Sequence, residues 1–199
     1  MAGSALITGA SNGNAQQSAG NDGSTLSVSI NSPKPTFRYT AVDITPVATA
    51  TDVLVLKGSA TKTIRVTRAG ILGTATAAAI YDLYLTKRTA VNTGGTSTAP
   101  TPSQSDSSDA AATATLAIYA VNPSELGPGV TLEASKVYLP AGATPAGAGT
   151  QREFTFGTRN DKAPVLRGVA ESIAFNFAGA AVPIGASLYL IIEWTEDVL

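Results

Sequence analysis

Side-chain alternation toward the C-terminus constrains this chain more than any other feature. In Ser172 to Phe177, Ile173, Phe175 and Phe177 alternate with Ser172, Ala174 and Asn176, and in Ser187 to Trp194 the residues Leu188, Leu190, Ile192 and Trp194 form a second such row. A period of two puts one apolar row on one face of an extended chain, so both segments read as β-strands facing a core. Between them Pro183 presets φ for a turn, and Gly185 relieves crowding where the chain reverses.

The same reading finds strands at Thr36 to Ile44, Asp52 to Lys57, Lys62 to Arg68, Ile80 to Lys87, Ala114 to Val121, Thr131 to Leu139, Arg152 to Phe156 and Pro164 to Arg167. Most are β-branched or aromatic and bounded by Gly, Pro, Asn or Asp. No stretch carries a capped apolar stripe of helical period, and Ala75 to Ala79 makes a strand or loop at least as readily as a helical turn. The expected fold is all-β, a jelly-roll-like antiparallel β-sandwich with a flexible N-terminal arm. The arm is residues 1–35, rich in Gly, Ser, Asn, Gln and Ala, with one strand-like run at Leu26 to Ile30 and with Pro33 and Pro35 stiffening its exit. The sandwich is residues 36–199, interrupted by a long, soft Gly/Ser/Thr/Pro loop over 89–113 and a shorter one over 141–150.

Composition narrows the chemistry. Of 199 residues none is Cys, so disulfides, thiolate nucleophiles and soft metal sites are excluded together. None is His, which removes the commonest general base. The net charge of −1 with scattered Lys and Arg offers no basic face for nucleic acid and no polybasic membrane anchor. MAGSALITG has neither the basic region nor the apolar run of a signal peptide, so synthesis in a cytoplasm is expected.

The residues Leu166, Arg167 and Gly168, the turn Val182 to Gly185, and the final Glu193 to Glu196 form the pattern LRG, apolar strand, VPxG-type turn, EWTE. This pattern resembles the C-terminal end of small structural proteins of tailed-bacteriophage virions, often head decoration (cement) proteins with a jelly-roll-like β-sandwich. The resemblance implies a homo-oligomer, a trimer ahead of a dimer, made in the host cytoplasm and carried on the capsid surface. There it would bind the major capsid protein lattice and stabilise the head by bridging capsomers. The alternative is a tail or fibre module recognising a host glycan or receptor.

Candidate sites each have a plainer reading. ALITGASNGNA looks like the TGxxxGxG phosphate-binding turn of short-chain dehydrogenases, but Ala15 replaces the third glycine and no helix-forming segment follows. That family's Tyr-x-x-x-Lys pair is also missing, since Arg88 stands four beyond Tyr84. Glu193 is expected to face solvent, with Glu196 and Asp197 beyond the strand, and Asp106 and Asp109 sit in the soft loop without calcium-loop spacing. Tyr81, Tyr84, Tyr119 and Tyr138 would make a sugar-stacking platform only if they shared a face. Tyr81 is in phase with Leu83 and Leu85, and Tyr84 with Ile80, so packing is the expected role. Arg65, Arg68 and Arg167 could pair with carboxylates of a partner subunit. No catalytic, cofactor-binding or metal-ligating residue is assigned, no cofactor is expected, and the chain reads as a structural protein rather than an enzyme.

Overall fold

A computed structural model describes residues 34–142, 151–158 and 161–198. In chain order the strands are β1 (Thr36–Ile44), β2 (Asp52–Lys57), β3 (Lys62–Thr74), β4 (Ala79–Arg88), β5 (Thr96–Thr98), β6 (Ser103–Gln104), β7 (Thr115–Val121), β8 (Gly129–Leu139), β9 (Arg152–Thr155), β10 (Val165–Arg167), β11 (Ser172–Asn176) and β12 (Ser187–Val198), with no helix among the described residues. They form two six-stranded antiparallel sheets. The first runs β10-β3-β12-β1-β6, with β9 also on β3, and the second runs β5-β7-β2-β11-β4-β8.

The pairing is nested. β1 pairs β12, β2 pairs β11, β3 pairs β9 and β10, and β4 pairs β8, so the chain folds back on itself like one long hairpin wound across both sheets. That is the jelly-roll-like sandwich expected from the strand pattern. The segment carrying β5, β6 and β7 is an insertion in the bend between β4 and β8.

The predicted apolar rows meet between the sheets. Ile173, Phe175 and Phe177 from the second sheet pack in one cluster with Leu188, Leu190, Ile192 and Trp194 from the first, joined by Leu54, Leu56, Tyr81, Leu83 and Leu85. Each fully buried side chain of this size contributes roughly 1.5–3 kcal/mol relative to exposure. Tyr81 lies tilted against Phe177 with ring centroids 4.7 Å apart, and Phe37 stacks on Trp194 at 6.0 Å.

The opposite row of β11 is buried as well. Ala174 packs with Val55, Ala117 and Tyr119 in a second cluster, on the side of the second sheet facing away from the first. Two connections knit together over this face: Thr93, after β4, forms an antiparallel bridge with Glu125, after β7. There Gly127 comes so close to Ala90 that a Cβ would stand 2.0 Å from the Ala90 carbonyl oxygen. The near-continuous apolar run of β2, Val53 to Leu56, fits a strand covered on both sides.

The loop over 89–113 is not the soft excursion expected. β5 pairs with the far end of β7 in the second sheet, and β6 pairs with Phe37 and Arg38 of β1 in the first. The segment is a strap joining the two sheets, and its low-complexity sequence hid this because both strands are short and exposed. Deleting Gly94 to Ser108 should therefore cost stability. We expect a loss of about 1–3 kcal/mol from the ladder bonds removed, with cooperative urea unfolding retained because the core rows lie outside the strap. An unchanged urea midpoint would show that the strap contributes nothing to the fold.

The arm expected over 1–35 lies outside the described residues up to Pro33. Its last two residues belong to the sandwich, since the Glu196 amide donates to the Pro35 carbonyl and Lys34 pairs with Asp197 at 3.1 Å.

Candidate functional site

The densest polar constellation lies on the covered face of the second sheet, and composition gave no hint of it. Asp52 is completely buried and accepts four hydrogen bonds, from Arg88 Nε at 2.5 Å, Arg88 Nη2 at 2.7 Å, Asn92 Nδ2 at 2.7 Å and Asn176 Nδ2 at 2.6 Å. Arg88 Nη1 donates to the Gly127 carbonyl at 2.7 Å, and the Gly127 amide donates to Asn92 Oδ1 at 2.9 Å. Burial, then the Asp52 charge, push the Tyr119 phenol upward against the opposing hydrogen bond with Asn92. The guanidinium binds the carboxylate two-pronged, and β2, β4, β11 and both covering connections are tied to it. With every oxygen of Asp52 engaged, the constellation fastens these strands and connections to one another.

The C-terminal carboxylates also differ from expectation. Glu196 does not lie beyond the strand: β12 continues to Val198, and Glu196 follows Trp194 in phase onto the core side, where it is 4% exposed. Its carboxylate accepts from the Thr113 amide at 3.0 Å, Thr113 Oγ1 at 2.6 Å, the Ala114 amide at 3.0 Å and Trp194 Nε1 at 3.2 Å. It thus clamps β12 of the first sheet to the entry of β7 in the second. Glu193 points outward as its phase requires, but it accepts from Thr67 Oγ1 at 3.2 Å and lies 3.5 Å from Arg38.

Asp197 is not a free solvated charge. It accepts from Arg65 Nε at 2.7 Å as well as from Lys34. Partial burial raises its pKa, but the hydrogen bonds and charges of Arg65 and Lys34 together outweigh that and hold the carboxyl below its usual value. A depressed folded pKa contributes stability above the unfolded value of about 3.9, and that contribution disappears as pH falls through the folded value. The urea midpoint of Asp197→Asn should lie below that of the native chain at pH 6 and fall less between pH 6 and pH 3; parallel declines would remove Asp197 from the acid response.

Arg65 and Arg68, which could have paired with carboxylates of a partner subunit, pair within the chain: Arg65 with Asp197, and Arg68 with Glu153 at 2.5 Å. Arg167 is exposed, and its amide donates to Glu171 at 2.8 Å. The tyrosines divide as their phase required. Tyr81 is in the core, where burial pushes its phenol up, Tyr119 is under the covering connections, and Tyr84 and Tyr138 lie on the outward side of β4 and β8. Asp106 accepts from the Ser108 amide and hydroxyl in an exposed turn, and these bonds lower its pKa. The glycine-rich segment ALITGASNGNA lies outside the described residues.

A shallow cleft of about 280 Å³ opens beside the end of β1, lined by Asp43, Leu72, Gly73, Thr74, Ser187 and Tyr189. It arises from a β-bulge, because two residues of β1 stand between the partners of Leu190 and Leu188. The bulge puts Asp43 in the left-handed region at φ 52°, where a short polar side chain is tolerated. Asp43 accepts from Ser187 Oγ at 3.0 Å, and its charge and hydrogen bond push the Tyr189 phenol up. One carboxylate with three hydroxyls can hydrogen-bond a polar ligand. Among the described residues no three of His, Cys, Asp and Glu are placed to hold a metal ion, and no helix is long and apolar enough to cross a membrane.

Exposed apolar side chains gather at a few places. Ile80 (66% exposed) and Tyr138 (47%) are cross-strand partners on the outward side of β4 and β8, and Ile184 (86%) stands on the turn before β12. No protein family, curated protein or solved structure matches the chain.

Proposed function

We propose that this chain is a structural virion protein of a tailed bacteriophage, a decoration or cement subunit that binds the major capsid protein lattice and stabilises the head. The observation that carries the reading is how its polar side chains are used. The buried charged groups Asp52, Arg88 and Glu196 all fasten one part of the sandwich to another, and the strap over 89–113 joins the two sheets. Such a molecule works through its surfaces, and many copies on a repeating lattice make modest contacts effective. The C-terminal sequence pattern points to the same class, and symmetric self-association accompanies it.

The decisive experiment is the composition and mechanical state of the native particle. Hundreds of copies per virion on a stained gel, and restored heat resistance when purified protein is added to stripped heads, are the expected results. A few copies per virion, with binding of the purified protein to host cells, would overturn the reading in favour of a tail or fibre module. The hydroxyl-lined cleft at Asp43 is the feature that favours this second reading, since glycans are bound by such groups.

A further inference from the structure

By strand parity Asp43 should face the core. In β1 the side chains of Phe37 and Ala41 are buried inward, and position 43 would follow them. The bulge opposite Tyr189 instead lets Ile44 pack against the core and leaves Asp43 exposed at the cleft. Re-aiming one side chain is a common use of a bulge. A non-glycine residue held in the left-handed region is strain that the surrounding structure must sustain, and such strain gathers where a side chain has a task.

The charge displayed in this way has no counter-charge. The other outward carboxylates of the first sheet are all matched: Glu193 by Arg38, Asp197 by Arg65 and Lys34, and Glu153 by Arg68. Among the described residues no Lys or Arg pairs with Asp43, and none lines the cleft. The hydrogens of the cleft are directed at the same carboxylate. Ser187 Oγ donates to Asp43 Oδ1 at 3.0 Å, and the Tyr189 hydroxyl hydrogen-bonds Asp43 as well. A hydroxyl has one hydrogen, so both oxygens are left with lone pairs, beside a carboxylate that has filled only part of its roughly four acceptor positions. Free hydroxyls would suit a sugar, which gives and takes hydrogen bonds, but here two of the three are already spent. A guanidinium, made of donors throughout, matches a cleft of acceptors. Leu72 and Tyr189 add apolar surface on which a planar cation can lie. The volume of about 280 Å³ falls below the range of roughly 300–1,000 Å³ typical of whole-ligand pockets, and suits a single side-chain head.

We propose that the cleft at Asp43 receives an arginine side chain of a partner protein, which in the proposed function is a subunit of the capsid lattice. The guanidinium ion-pairs with Asp43, donates to the Ser187 and Tyr189 oxygens, and lies along Tyr189 with its stem toward Leu72. This inference deepens the lattice contact and rests on that reading for its partner, but not for the chemistry of the cleft.

Acetylarginine amide, added to the purified full-length chain, tests that chemistry alone. Saturable shifts of the Asp43, Thr74, Ser187 and Tyr189 amide resonances are expected, absent with the uncharged analogue acetylcitrulline amide and absent in Asp43→Asn. Asparagine tolerates the left-handed region, so this variant should keep the native urea midpoint. No shifts, or equal shifts with the citrulline analogue, would overturn the proposal; shifts with methyl glycosides in place of the arginine probe would overturn it in favour of a sugar site. Binding to stripped heads then tests the partner. Asp43→Asn should bind roughly tenfold more weakly per site and lose part of the salt dependence. A native chain that does not bind heads sinks the lattice reading itself, whereas equal binding by native chain and variant sinks only the placement of the contact at Asp43.

Discussion

Replacing Trp194 by alanine is expected to destabilise the fold by about 3–5 kcal/mol. The indole is fully buried in the middle of the first sheet, packs on Phe37, and donates Nε1–H to Glu196 at 3.2 Å. Removal opens a cavity at the contact between the sheets and takes one donor from a buried carboxylate, two costs that act in the same direction. Chemical unfolding followed by tyrosine fluorescence measures the change. Trp194→Phe should recover most of the packing but not the hydrogen bond, so it should fall between the native chain and the alanine variant. A loss under about 1 kcal/mol for Trp194→Ala would show that the core readily collapses onto the site.

Asp52→Ala should be comparably damaging, at about 3–5 kcal/mol, because it leaves the buried Arg88 guanidinium without its counter-charge. Arg88 would keep only the Gly127 carbonyl, and Asn92 and Asn176 would each lose an acceptor. Asp52→Ala combined with Arg88→Met should be less destabilised than Asp52→Ala alone, since the stranded charge is then gone. A double variant worse than the single one would mean that the guanidinium is held by its packing and not by the carboxylate. Amide exchange should localise the damage to the connections after β4 and β7, which the network fastens down.

These two sites differ in how far the sequence exposes them. The Trp194 row is legible because period-two alternation is a local property, and strand-favouring residues between turn residues likewise mark β1 and β2 to their observed limits. Glu196 continues the parity of Leu188 through Trp194, and extending the phase by two residues would have placed it inward. Its acidity argued for solvent, and the donors that offset its burial come from Thr113 and Ala114, remote in sequence. Asp52, Arg88, Asn92 and Asn176 converge only after β2, β4 and β11, three strands remote in sequence, have paired, and no spacing announces that. The strap was hidden for a similar reason: β5 and β6 borrow their order from β7 and β1, and their own Thr, Ser and Gln carry no apolar row.

The nested pairing has a consequence for how the molecule is made. β12 stands between β3 and β1, so a strand synthesised after both of them is the one that joins the two parts of the first sheet. Until it emerges, β1 and β3 have been synthesised but have no common partner. A nascent chain that stops before Leu188 lacks the centre of that sheet, the Trp194 side chain and the Glu196 clamp at once. Products truncated before β12 are thereby denied the native state.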